Sequence, residues 1–221
     1  MTRDQVFEFF RRLAEVNPSP TTELESGNPY QLLVAVVLSA QATDASVNIA
    51  CRPLFQRIKT PQQMVDFGEE KLRQAIKTIG LFNTKAKNVI ALSQALIDRF
   101  GGQVPRTREE LESLPGVGRK TANVVLNTAF GEETFAVDTH VFRVSNRTGL
   151  AKGKTPEQVE AKLEKRVPQP FRAGAHHWLI LHGRYTCKAR VPECWHCPVN
   201  HICEFRNKVL EPPVGRGKRA T

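Results

Sequence analysis

Apolar residues recur along this chain at intervals of three and four and never settle into the alternation of strands. The periodic stretches open on capping signals. Thr2-x-x-Gln5 opens an amphipathic first helix. Asn28-Pro29 opens a run, Leu32 to Leu38, that is apolar on every side and so marks a buried central helix. Thr43-Asp44 opens the next helix, toward Arg57, and Thr60-Pro61-x-Gln63 a short one, Met64 to Phe67. Glu69 to Thr78 follows, stopped by Gly80. Asn83 caps a long helix to Phe100, ended by Gly101-Gly102. Thr107-x-x-Glu110 opens the helix that leads into Leu114. Thr155-Pro156-x-Gln158 opens another late in the chain, and Ala173 to His182 makes the last, before Gly183. The expected class is all-α.

The most informative stretch lies in the middle, LPGVGRKTANVVLNTAFGEETFAVDTH from Leu114 to His140. Pro115-Gly116-Val117-Gly118 reads as a turn whose glycines can take positive φ. Arg119 to Phe130 reads as a helix closed by Gly131, with Ala122, Val125, Leu126 and Ala129 on one face. Asp138 reads as the N-cap of the next helix.

A glycine turn feeding a helix leaves backbone N–H groups free at the positive end of the dipole, where a phosphate fits. Lys120, beside Arg119, sits where its own positive charge is disfavoured, which suits a nucleophilic amine. The helix would be about 18 Å long. The seven residues from Gly131 to Val137 reach about 25 Å at most, so the chain has enough length to bring Asp138 back to the helix start.

Composition narrows the partners. At 221 residues the chain has room for one large domain or two small ones. Lys and Arg outnumber Asp and Glu by 32 to 22, for a net charge of +10, which favours an anionic partner, nucleic acid first. The sequence holds no run long enough for a membrane span. The charged start, MTRDQVFEFFRRLAEV, does not read as a signal peptide. The expected compartment is the cytoplasm, in association with the nucleoid.

Cysteine use is lopsided. Cys51 stands alone and reads as core. The other four fall within seventeen residues, Cys187-x6-Cys194-x2-Cys197-x5-Cys203. A reducing compartment disfavours disulfides, so the four point to a metal. Zinc sites usually show two close pairs and this run has one, but the spacing is not the usual ferredoxin run either. The loop between the first two cysteines carries Lys188 and Arg190, cations placed to grip phosphates. His140 stands next to Asp138, while His176, His177 and His182 read as packed on the last helix.

LPGVGRKTA resembles the helix-hairpin-helix of DNA repair glycosylases, and FAVDTH resembles the loop and aspartate of that superfamily. The lysine in GVGRK and the cysteine spacing resemble the endonuclease III branch. The resemblance runs from about Pro18 to Phe205. It implies two helical domains with a cleft between them, one at 22–132 and the other joining 1–21 to 133–211. The tail at 212–221, PPVGRGKRAT, is basic with proline and glycine and reads as disordered on composition alone. The resemblance also implies a [4Fe–4S] cluster on Cys187, Cys194, Cys197 and Cys203. It implies catalysis by Lys120 and Asp138: base excision of oxidised pyrimidines, then strand cleavage by β-elimination through a lysine Schiff base.

Double-stranded DNA with damaged pyrimidines or abasic sites would be the partner of a monomeric enzyme. The hairpin residues Gly116, Val117, Gly118 and Arg119, with Lys188 and Arg190, would hold its backbone. Gln41 would fill the gap left by a flipped nucleotide, and Leu81 would wedge the opposite strand. Without the resemblance, Leu81 reads as core and Gln41 as merely polar. Three rivals remain at this stage, one of them a relative acting on thymine mismatches, which lacks the lysine in this motif. The adenine-specific glycosylase of the same superfamily shares the cluster but lacks the lysine. A DNA-binding module without chemistry would explain the charge but not Lys120 and Asp138 together.

Overall fold

The computed structural model describes residues 1–213, and every described element is helical. Part of the expected basic tail, from residue 214 onward, lies outside the described residues. The helices are α1 (Arg3–Val16), α2 (Pro29–Leu38), α3 (Asp44–Arg57), α4 (Pro61–Phe67), α5 (Glu69–Ala75) and α6 (Phe82–Phe100). Then come α7 (Arg108–Glu112), α8 (Arg119–Phe130), α9 (Thr139–Thr148), α10 (Pro156–Arg166) and α11 (Arg172–Tyr185). None is long and apolar enough to cross a membrane.

The chain divides into two compact units, Thr21–Ala136 and Met1–Pro20 with Val137–Thr221. The first is built around α2, in which every residue from Tyr30 to Leu38 is buried. Burial of each large aliphatic side chain contributes about 1.5–3 kcal/mol, so the all-apolar stretch forms the centre of this core. Helices α3, α6 and α8 pack against it. Gln31 is its polar exception, and Nε2 donates to the carbonyls of Phe55 and Ile58, anchoring the end of α3.

The other unit is held by aromatic side chains contributed by distant parts of the chain. Phe9 and Phe10 of α1 are fully buried. Phe10 stacks with Phe171 at 6.0 Å, and Trp178 of α11 lies 6.4 Å from Phe10. The Trp178 indole donates to the Asn17 carbonyl at 2.7 Å, tying the end of α1 to α11.

Side-chain caps stand where the sequence places them at Thr2, Asn28, Thr43, Thr60, Thr107, Asp138 and Thr155, each worth about 1 kcal/mol. Three boundaries differ from the sequence reading. Helix α5 ends at Ala75 rather than Thr78, because the chain tightens into turns before Gly80. Helix α6 begins one residue before Asn83, entered through Leu81 in the left-handed conformation at φ 60°. Gly183 does not stop α11. The helix runs on to Tyr185, and a Cβ on Gly183 would meet the His140 Cβ at 2.8 Å, so this glycine permits close packing on α9.

Candidate functional site

The hairpin is a turn pinned on one side and open on the other. Leu114 and Val117 are buried in the core, and the Val117 amide closes the turn on the Leu114 carbonyl at 3.1 Å. Gly116 takes φ +77°, and a Cβ there would lie 2.9 Å from Asn88 Nδ2. Gly118 departs from the expectation of positive φ. It is extended at φ −104° and faces open space. It caps α8 without a side chain, and no acidic residue stands in the first turn. The exposed start of α8 therefore presents backbone N–H groups and positive potential, with Arg119 and Lys120 exposed on its first turn.

The chain after α8 is stitched back along it. Gly131 ends the helix at φ +72°. Asn127 Nδ2 donates to the Glu132 carbonyl at 2.9 Å, and Asn123 Nδ2 to the Phe135 carbonyl at 3.3 Å. Thr134 Oγ1 donates to the Asn123 carbonyl at 2.7 Å. Residues 132 to 135 thus run from the helix end toward its start. The sequence reading gave this segment only enough length to return. It missed the two buried asparagines that direct it, whose signal was a polar residue on the apolar side of α8.

Asp138 is half-buried at the start of α9. Its Oδ1 accepts from the amides of His140 at 2.9 Å and Val141 at 2.8 Å. Both bonds fall on one oxygen and fix the carboxylate plane. Behind it, Arg143 donates from Nη2 to the Gly183 carbonyl at 2.8 Å and from Nε to the Cys187 carbonyl at 3.0 Å. Its Nη2 also lies 3.1 Å from His140 Nδ1. Burial lowers Arg143 from the usual arginine range. One turn on, Arg147 donates to the carbonyls of Lys188 and Ala189, each at 2.7 Å, and lies over the Phe205 ring at 4.9 Å.

The four late cysteines line one cavity of about 20 Å³, walled also by Thr148, His182 and Phe205. Cys194 and Cys197 flank a single 3₁₀ turn, and a second such turn leads into Cys203. Burial pushes the Cys197 thiol up to about 12, with the Cys203, Cys187 and Cys194 sulfurs adding to the effect, and burial also raises Cys203. The Cys187 sulfur faces Arg147 Nη1 at 3.8 Å. The Cys197 sulfur lies 3.7 Å from His182 Nε2, and burial brings that imidazole down to about 4. Among the described residues, no group of three or more His, Cys, Asp or Glu side chains converges as for a single metal ion. Cys51 is buried and apart from this group, as expected.

Lys188 and Arg190 are exposed on the loop. Lys188 is already held by Glu193, Nζ to Oε1 at 2.5 Å, and Glu193 also takes His196 Nε2 at 2.8 Å. The sequence reading placed the cations but did not see this internal carboxylate.

Gln41 and Leu81 share an unusual property. They are the only non-glycine residues with positive φ among those described, at 54° and 60°. Leu81 is 59% exposed, so the reading of it as core on local grounds is wrong. A Cβ on the neighbouring Gly80 would lie 3.9 Å from the Gln41 carbonyl oxygen, so the two turns adjoin.

A turn buried on one side, an uncapped helix start and a segment stitched back along α8 define a class with relatives of known kind. Residues 34–169 match the family described as HhH-GPD superfamily base excision DNA repair protein, and the chain belongs to it. Within that family it is 56% identical over 209 residues to the endonuclease III of Haemophilus influenzae, covering 95% of this chain and 99% of the relative. The endonuclease III of Escherichia coli strain K12 gives the same identity and coverage. A solved structure of a trapped endonuclease III–DNA covalent intermediate aligns with TM-score 0.86 and 46% identity, over 92% of this chain and 96% of that one. A thermostable thymine-DNA glycosylase shares the fold at 24% identity, with TM-score 0.79 over 90% of this chain and 94% of that one. The chain is thus a base-excision repair enzyme of the DNA glycosylase type.

Proposed function

We propose that the enzyme is a bifunctional glycosylase and abasic-site lyase that acts on oxidised pyrimidines in duplex DNA. The observation that carries the reading is Lys120, exposed on the first turn of an uncapped helix at the mouth of a glycine turn. Backbone N–H groups of the hairpin bind a phosphate, and that contact holds the adjoining sugar within reach of the amine. The Lys120 nitrogen forms a bond to C1′ as the glycosidic bond breaks, and the base departs with the electron pair and takes a proton. The sugar ring opens to a protonated imine. Loss of a C2′ proton then expels the 3′ phosphate and cuts the strand.

Asp138 has the complementary role. Two amides hold Oδ1, which leaves Oδ2 to face the positive charge that develops on the sugar and to relay a proton. Exposed, left-handed Gln41 and Leu81 suit the parts of gap filler and wedge. The four cysteines fit a [4Fe–4S] cluster. Cys187, Cys194, Cys197 and Cys203 line one cavity and would each supply one thiolate ligand. When bound, the cluster cross-links a segment poor in apolar residues. Arg147, held on the carbonyls of Lys188 and Ala189, keeps the basic loop in place to meet DNA.

The test is borohydride trapping. Incubation with a duplex carrying an oxidised pyrimidine should yield a covalent adduct that maps to Lys120. Base release without any adduct would make the enzyme a monofunctional glycosylase, and an adduct on Lys85 or Lys87 would move the nucleophile.

A further inference from the structure

Helix α6 starts as bare as α8 does. Its N-cap, Leu81, makes no side-chain capping bond, and its first turn holds no acidic residue. Asn83 and Thr84 are exposed there. The amides of that turn are orphan donors at the positive end of a 19-residue helix.

A second observation is independent of the first. Lys85, on the inner face of α6 with Ala86, Val89, Leu92 and Leu96, is only 4% exposed. Its amine is buried and has no hydrogen-bond partner. Burial without a partner lowers Lys85 from the usual lysine range. Side chains of a helix lean toward its N-terminus, so Lys85, four residues after Leu81, is directed back toward the turn that Leu81 begins. A buried, unpartnered amine destabilises the fold, and its place at the positive end of a helix adds to that cost. A methionine would fill the same apolar space at no such cost.

We propose that the start of α6 binds a DNA backbone phosphate next to the Leu81 insertion point, with Lys85 as the cation that underlies it. The orphan amides and the unpartnered amine need the same thing, an anion with several acceptor oxygens. The only segment of the expected partner that offers one beside an inserting Leu81 is the strand opposite the lesion. The proposal rests on the reading that Leu81 meets DNA. Lys85 then acts as a binding residue that spends stability in the free protein and finds its partner in the complex.

The experiment uses the full chain and a duplex with an uncleavable tetrahydrofuran abasic analogue. Binding of the wild type and of Lys85→Met is measured across salt concentrations. It is repeated on duplexes with single neutral methylphosphonate linkages, placed one at a time opposite the lesion. At one linkage the wild type should lose about 3–10-fold in affinity. Lys85→Met should lose a similar factor on unmodified DNA, show a salt slope smaller by about 0.9, and show a smaller penalty at that linkage, the part that the α6 amides still carry. Its melting temperature should rise by about 2–4 °C. Wild-type affinity and slope in Lys85→Met would overturn the proposal. So would a methylphosphonate penalty that persists undiminished in the variant, or a lower melting temperature with an unchanged slope, since either marks Lys85 as purely structural. Failure of the wild type itself to bind the abasic duplex would instead sink the reading of Leu81 on which this rests.

Discussion

Arg143 donates from Nε to the Cys187 carbonyl at 3.0 Å, and so joins the helix capped by Asp138 to the backbone of the first late cysteine. The same guanidinium reaches Gly183 and His140. Five donors in a rigid fork allow one side chain to serve three elements, which a lysine ammonium does not match. Arg143→Lys should therefore lose function despite keeping the charge. Single-turnover base excision is expected to fall about 10²-fold, the scale of a 1 Å misplacement of a catalytic group. Visible absorbance at about 400 nm, the signature of the proposed cluster, should weaken in parallel. A Lys variant with normal rate and colour would reduce Arg143 to one packing contact among many.

The two hairpin glycines should fail in opposite ways. Gly116→Ala places a Cβ 2.9 Å from Asn88 Nδ2 at φ +77°, so it strains the fold. A stability loss of about 1–2 kcal/mol is expected from the backbone alone, read as a drop in melting temperature. Gly118→Ala meets nothing within 4 Å and should melt like the wild type. The methyl would stand where the phosphate approaches the α8 amides, so its DNA affinity should fall. Equal effects at the two positions would deny this division between fold and binding.

Lys188 is not idle in the free protein, because Glu193 holds it. On the proposed reading, in which Lys188 meets a phosphate, DNA displaces that carboxylate. Glu193→Gln should tighten binding, while Lys188→Ala should weaken it on every sequence and lower the salt slope by about 0.9. Weaker binding of the Gln variant would mean that Glu193 supports the loop rather than competing with the phosphate. Its bond to His196 makes that a real alternative.

Most of the helical frame was legible because each cap chooses its own helix locally, as Thr2, Asn28 and Thr155 do. The left-handed Leu81 was not legible. Nothing in the identity of a leucine announces positive φ, and the conformation depends on how α6 meets the preceding turns. Gly183 misled for a related reason, since a glycine that ends a helix and one that lets two helices touch look alike in sequence. The cysteine spacing announced a shared site, but its polar wall of Arg147 and His182 comes from elements 15 to 40 residues away. Lys120 and Asp138 were legible as residue types in a pattern. The buried Asn123 and Asn127 that turn the chain back were hidden, because a polar residue on an apolar face gains its meaning from a partner supplied by the fold.

Acid should loosen the unit that contains the cysteines. Glu204 pairs with the Met1 amine and with Lys152, whose Nζ lies 2.6 Å away. The Lys152 and N-terminal partners hold its carboxyl down at about 2, against an ordinary 4.5. A folded value below the unfolded one stabilises above pH 4.5, and the contribution fades as pH falls from 4.5 toward 2. The side chain is 37% exposed, so solvent screening leaves about 0.2–1 kcal/mol. Glu204→Gln should flatten that part of the pH–stability curve and leave neutral pH slightly less stable. An unchanged acid limb would assign the acid response to other carboxylates.

The two roles proposed for Lys120 and Asp138 are separable by substrate. Asparagine caps a helix about as well as aspartate, so Asp138→Asn should keep the bonds to His140 and Val141 and melt near the wild type. It removes the negative charge, and excision of an oxidised pyrimidine should fall by about 10²–10⁴. On a preformed abasic duplex no base has to leave. There Asp138→Asn should still form the borohydride adduct, more slowly, because the Lys120 amine is intact. Lys120→Ala should form no adduct on either substrate, while its affinity for abasic DNA largely survives on the α8 amides and other cations. The pattern decides between the two roles. If Asp138→Asn lost adduct formation on abasic DNA as completely as Lys120→Ala does, Asp138 would act on the amine itself rather than on the departing base. If Lys120→Ala still cut abasic DNA by β-elimination, another amine would be the nucleophile and the hairpin only a clamp.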